Sequence, residues 1–145
     1  LLERQSRADA VLMCAAVADV RRERSDNSSK LPKGELMESM AQGWEQVPDL
    51  LQSLGARRSS QQHLLGFAAL AGDDETLLRR GREKLQAKGC DLLMVNPVDR
   101  PDQGLDSDLN GGWLLGPGER EEAIPAVHKL ALAHDLLDRL SQLGD

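Results

Sequence analysis

Lys84 and Lys88 stand four residues apart in a stretch of helical character, so their side chains leave one helix face about one turn apart. Such a pair can address two phosphates of one polyphosphate. The decamer 79–88 holds five bases, Arg79, Arg80, Arg82, Lys84 and Lys88, against the single acid Glu83, and carries +4 in a chain whose formal net charge is -6. The remaining 135 residues therefore carry -10. The same cations also suit a solvated helix face near the electronegative C-terminal end. Asp19 closes a short apolar run, where a carboxylate either caps a turn or binds magnesium, which takes carboxylate and phosphate oxygens together. Residues 20–34 follow, polar and basic with Arg21, Arg22, Arg24, Lys30 and Lys33, and read as a mobile loop or flap able to close over an anion. The sequence contains neither GxxxxGK[ST] nor GxGxxG, so any nucleotide must be held without those two glycine-rich loops.

Other chemistries find less in the sequence. His63, His128 and His134 share no metal-ligand spacing, and Cys14 and Cys90 form no CxxC. No serine or cysteine sits in a recognisable nucleophile setting. The neighbouring acids Asp73 and Asp74, and Asp106 and Asp108, lie in polar loop-like surroundings and read as solvated.

The elements that must position these residues follow from apolar patterning. Residues 8–19 form a short continuous apolar run between charges, as expected of a parallel strand covered on both faces. Its small last residues, Ala15, Ala16 and Ala18, would let a ligand approach the backbone at the strand's carboxyl end, where open α/β sheets bind ligands. Residues 35–54 are ambiguous, broken by Gly43 and Pro48, with a short helix at 49–55. A second buried strand is expected at 63–69. Asp73, Asp74 and Glu75 open a helix running to about Lys88, where Gly89 ends it. A third strand at 91–96, a brief fourth at 112–115, a turn at 116–118 and a closing amphipathic helix over 124–143 complete the reading. That helix rests on Val127, Leu130, Ala131, Ala133, Leu136, Leu137 and Leu140 at helical spacing. The order predicts a three-layer, Rossmann-like α/β fold with a mostly parallel sheet flanked by helices.

Composition sets the bounds. At 145 residues, 40% hydrophobic and 29% charged, the chain has globular usage and the size of one domain over 1–145. Its acidic balance, 18 bases against 24 acids, disfavours nucleic acid and anionic membrane surfaces. The longest apolar runs fall short of the roughly 20 residues of a membrane span. Two cysteines without a disulfide framework fit a reducing compartment, and a cytoplasmic location is expected. Residues 1–5 read as the last turn of a helix, so that the chain is expected to be a piece of a longer polypeptide, its sheet incomplete at the N-terminus.

Seven ordered blocks then carry a resemblance. Residues 15–19 (Ala-Ala-Val-Ala-Asp), 30–33 (Lys-Leu-Pro-Lys), 47–50 (Val-Pro-Asp-Leu), 66–70 (Gly-Phe-Ala-Ala-Leu), the Lys84 to Lys88 pair, 91–96 (Asp-Leu-Leu-Met-Val-Asn) and 104–110 (Gly-Leu-Asp-Ser-Asp-Leu-Asn) cover nearly the whole chain. In that order they resemble the C-terminal half of the ligase domain of bacterial phosphopantothenoylcysteine synthetase (phosphopantothenate cysteine ligase). That domain is usually fused behind a flavin-dependent decarboxylase in coenzyme A biosynthesis. The family pattern is AAVAD, KIKK, NPDI, GFAAE, KxxxK, DLIVAN and a loop like GFxSDxN. Val47 replaces its asparagine, Leu70 its glutamate and Pro97 a frequent aspartate, changes that bear on base-edge contacts and loop shape.

The resemblance implies a CTP-dependent ligation of 4'-phosphopantothenate to cysteine through an acyl cytidylate. It implies Asp19 as the magnesium and nucleotide aspartate, Lys30 as the catalytic flap lysine, and Lys84 and Lys88 as triphosphate lysines. Ala15 and Ala16 would meet the nucleotide through backbone, and Phe67 would line the base pocket. It further implies a homodimer, with FMN confined to the decarboxylase domain. The family's N-terminal half, with its glycine-rich loop and asparagine-bearing loop, is not in this sequence, so the chain by itself is not expected to turn over. The alternative is a non-catalytic module of the same fold that serves dimerisation or scaffolding of an attached flavoprotein.

Overall fold

A computed structural model of the chain describes residues 1–22, 42–103 and 106–144. These fall into two compact units, one of residues 1–14 and 51–145, the other of residues 15–50.

The larger unit is built on a five-stranded sheet. Its strands are β1 (Ala10–Met13), β4 (His63–Leu70), β5 (Leu92–Pro97), β6 (Leu109–Leu115) and β7 (Glu121–His128), adjacent in that order. β1, β4 and β5 pair in parallel, β6 runs antiparallel to β5, and β7 antiparallel to β6. Four of the five strands therefore point the same way, and the mainly parallel sheet expected from the sequence is present. Helices cover both faces. On one, α3 (Asp74–Lys88) packs Leu77 and Leu85 onto Ala68, Leu93, Val95 and Leu115. On the other, α4 (Lys129–Ser141) packs Leu132, Leu136 and Leu140 onto Leu65, Leu92, Met94, Leu114 and Ile124. The short α1 (Leu2–Gln5) is tied to α2 (Leu50–Arg57) through buried Gln5, whose Nε2 donates to the Leu54 carbonyl at 2.8 Å and to Gln62 Oε1 at 3.0 Å. No helix among the described residues is long and apolar enough to cross a membrane.

α3 follows its local chemistry closely. Asp73 caps it by accepting from the Thr76 N–H at 2.9 Å, and the Thr76 side chain, then this N–H, hold the Asp73 carboxyl below its ordinary value. Leu77, Gly81 and Leu85 recur at the helical interval and face the sheet. Gly81 permits a close approach, since a Cβ there would lie 2.5 Å from Leu115 Cδ1 and 2.7 Å from Val95 Cγ2. Gly89 stops the helix in the left-handed conformation at φ 64°.

Three expectations are corrected. β1 is a four-residue strand, only partly covered, rather than a strand buried on both faces, because among the described residues its single neighbour is β4. β6 begins at Leu109, three residues earlier than expected. The closing helix over 124–143 is a strand followed by a helix. Pro125 has no N–H for a helical ladder, and the turn after Leu115 returns the chain alongside β6. A bulge between the Asn110–Val127 and Gly112–Ile124 pairs gives β7 one extra residue, so both Ile124 and Val127 reach the α4 core. In α4 the buried row is Leu132, Leu136 and Leu140, and Leu130 and Leu137 are exposed.

The smaller unit contains a two-stranded antiparallel ribbon, β2 (Val20–Arg22) with β3 (Trp44–Gln46). Residues 20–22, expected in the loop, are thus strand, and a segment of the ambiguous region is their partner.

Candidate functional site

The expected site residues divide between the two units. In the smaller one, Ala15, Ala16 and Asp19 are exposed, ahead of β2. The Asp19 carbonyl accepts the Val47 N–H at 2.9 Å, extending the Val20–Gln46 register by one pair. The ribbon thereby joins the block at 15–19 to the block at 47–50, and Arg21 pairs with Glu45 across it. Lys30 and Lys33 lie outside the described residues, as does part of the block at 104–110.

In the larger unit Lys84 and Lys88 occupy the last two turns of α3, Lys84 exposed and Lys88 half-buried. The helix runs antiparallel to β4 and β5, so the pair sits at the end of the sheet where those strands begin. There α3 meets α2: Gln52 Nε2 donates to the Ala87 carbonyl at 3.5 Å, and Gly55 faces the Lys88 backbone. Asp91 fixes the turn that follows, its Oδ2 accepting the Leu64 N–H at 2.8 Å and pairing with Arg58.

Phe67 lies on the opposite face. Along β4, Leu65 and Phe67 pack on the α4 side while Ala68 packs on the α3 side, so the sheet separates Phe67 from the lysine pair. Met13, the last residue of β1, pairs with Gly66, the residue before Phe67 on β4. The structure joins Lys84 to Lys88 and does not join them to Phe67.

The strand carboxyl ends carry a second polar region, which includes Asp74 and Asp106, acids that read as solvated in the sequence. Asp74 Oδ1 accepts from Trp113 Nε1 at 3.2 Å and pairs with Arg100, and these two donors, Trp113 foremost, hold its carboxyl below the ordinary value. Asp99 accepts the Gly72 N–H at 2.9 Å. Beside them an open groove of about 520 Å³ is lined by Val98, Asp102, Gln103, Asp106 and Ser107. Among the described residues no group of three or more His, Cys, Asp or Glu side chains could hold a metal ion.

A family model described as the DNA/pantothenate metabolism flavoprotein C-terminal domain matches residues 1–143. The chain belongs to this family. Members similar to it include proteins named coenzyme A biosynthesis bifunctional protein CoaBC. That of Vibrio vulnificus is 34% identical over 135 residues, covering 93% of this chain and 32% of the relative. That of Mycolicibacterium smegmatis is 33% identical over 139 residues, covering 92% and 33%. The chain therefore spans about a third of the length of the curated relatives it matches. Among solved structures, the C-terminal domain of a CoaBC protein superposes with a TM-score of 0.65 at 24% identity, over 98% of this chain and 60% of that one. The DNA/pantothenate metabolism flavoprotein of Streptococcus pneumoniae gives 0.65 at 17% identity, over 99% and 66%. These two likenesses establish the flavoprotein C-terminal domain fold for the chain.

Proposed function

We propose that this chain supplies the nucleotide-binding part of a ligase that joins 4'-phosphopantothenate to cysteine at the expense of CTP in coenzyme A biosynthesis. Family membership across residues 1–143 supports a role in that pathway. The observation that carries the nucleotide reading is the lysine pair on α3, two cations on successive turns of a helix locked at both ends. In the reaction a carboxylate oxygen of 4'-phosphopantothenate attacks the α-phosphorus, the bond to the β-phosphate breaks, and pyrophosphate leaves. The cysteine amine then attacks the acyl carbon, CMP leaves, and the amine loses a proton as the amide forms. Activation is needed because a carboxylate becomes an acyl donor only when its oxygen belongs to a good leaving group. Lys84 and Lys88 neutralise phosphate charge as the leaving group departs, and Lys30 is assigned the same role. Asp19 is exposed, a single carboxylate suited to magnesium held mainly by phosphate oxygens, and the ion would supply further charge neutralisation there.

Phe67 and the lysine pair lie on opposite faces of one sheet, which favours a nucleotide held between two copies, the base at Phe67 of one and the phosphates at Lys84 and Lys88 of the other. The arrangement requires the expected homodimer. Lys84→Ala and Phe67→Leu each weaken CTP binding, Lys84→Ala by about tenfold or more for the loss of a charge-assisted contact. An equimolar mixture of the two variants regains tight sites, because a mixed dimer contains one site with both native residues. Calorimetric titration with CTP and with ATP, magnesium present, checks this and the nucleotide preference together. Unaltered CTP affinity in Lys84→Ala, or a stable dimer that takes up neither nucleotide, overturns the reading and leaves the scaffolding role.

A further inference from the structure

α3 carries more positive charge than the lysine pair uses. Arg80 precedes Lys84 by four residues, so Arg80, Lys84 and Lys88 form one row along the helix. The row lies one residue back from the core row Leu77, Gly81 and Leu85, hence turned about 100° from it. Its neighbours are accounted for. Arg79 pairs with Glu83 at 3.0 Å, and Arg82 donates to the Gly116 and Arg120 carbonyls at 2.7 and 2.6 Å and pairs with Glu121 at 3.2 Å. Arg80 and Lys84 are exposed, and no carboxylate among the described residues pairs with either. The helix dipole does not account for Arg80, which stands mid-helix, about two turns before Lys88, whereas the preference for cations fades beyond the last turn. A guanidinium also differs from the two ammonium groups, since its planar fork matches two oxygens of a single phosphate.

We propose that Arg80 is a further binding residue of the same site, gripping the distal phosphate of the nucleoside triphosphate and the pyrophosphate released from it, while Lys84 and Lys88 hold the phosphates nearer the nucleoside. The assignment rests on the nucleotide reading and adds to it a selectivity for the triphosphate chain. Inorganic tripolyphosphate is the probe, titrated calorimetrically into the 145-residue chain and its variants. Arg80→Gln weakens binding about tenfold, Arg80→Lys recovers only part of the loss because it restores charge without the fork, and Arg79→Gln, which removes an equal charge next door, changes affinity less than about twofold. Equal losses in Arg79→Gln and Arg80→Gln would show a diffuse field and overturn the assignment. Unchanged binding in Arg80→Gln beside a loss in Lys84→Gln overturns it too, and leaves the nucleotide reading intact. Absence of tripolyphosphate binding by the native chain overturns both.

Discussion

Gly55 offers a test in which local propensity and tertiary packing demand opposite signs. It sits within α2, where an alanine normally stabilises a helix by up to about 1 kcal/mol. A Cβ at this position would lie 3.1 Å from the Lys88 carbonyl carbon and 3.4 Å from Gly89 Cα, and well inside contact distance of the Lys88 carbonyl oxygen. The obstacle is backbone at a helix end that is already capped, so no rotamer change relieves it, and α2 and α3 must separate. Overpacking of this kind costs roughly 3 kcal/mol, the upper part of its usual range. Set against the propensity gain, Gly55→Ala is destabilised by about 2 kcal/mol. With a urea dependence of about 2 kcal/mol/M, the unfolding midpoint falls by about 1 M. Folded Gly55→Ala also binds tripolyphosphate more weakly, because the displaced backbone is that of Lys88. Gly118→Ala serves as the comparison: φ is 64° and nothing lies within 4 Å, so only backbone strain of about 1 kcal/mol is expected. A Gly55→Ala midpoint equal to or above that of the native chain refutes the argument.

Two further perturbations address the framework. Glu122 on β7 accepts from Arg139 Nε at 3.1 Å and pairs with Arg120 at 3.4 Å, and the Arg139 contact is the chief reason its carboxyl titrates below the ordinary 4.5. A depressed folded value means that the stabilisation is present above the ordinary value and is lost as pH falls through the depressed one. Glu122→Gln is therefore less stable than the native chain by about 1 kcal/mol at neutral pH, a modest figure for a partly exposed pair, and the difference closes in acid, as urea midpoints at the two pH values would register. Asp91→Ala removes the acceptor of the Leu64 N–H and the partner of Arg58 together, and thermal or urea unfolding should show a loss of about 2 kcal/mol, with Asp91→Asn retaining part of it.

How much of this was legible depends on where each element's information lies. α3 was readable end to end because both of its boundaries are local chemistry, an aspartate accepting from the third residue on and a glycine in the left-handed conformation. β4 and β5 were readable as apolar runs between polar residues. The β2–β3 ribbon was not, since its strands are three residues each and its register depends on a partner 24 residues away. β7 was misread for a physical reason: the bulge places Ile124 and Val127 three residues apart on one face, the spacing of a helix, and the true helix begins immediately afterwards. Only Pro125 argued against a continuous helix.

The site divides along the same line. The charge of Lys84 and Lys88 is visible in composition, and their common face follows from a helix whose limits are local. The side of the sheet to which Phe67 points is a different kind of fact. In a strand whose residues are apolar on both faces, alternation says that Leu65 and Phe67 share a face but not which one. That is decided by which helix covers each face, and here α3, not α4, takes the face of Ala68, Leu93 and Val95. The consequence reaches the function. The proposed nucleotide site assigns a row of cations and an aromatic ring on opposite faces of one sheet to the same ligand, and in that proposal a second chain brings its own face to the first. On the proposed reading the dimer is part of the site, and the mixed-variant titration tests that proposal directly.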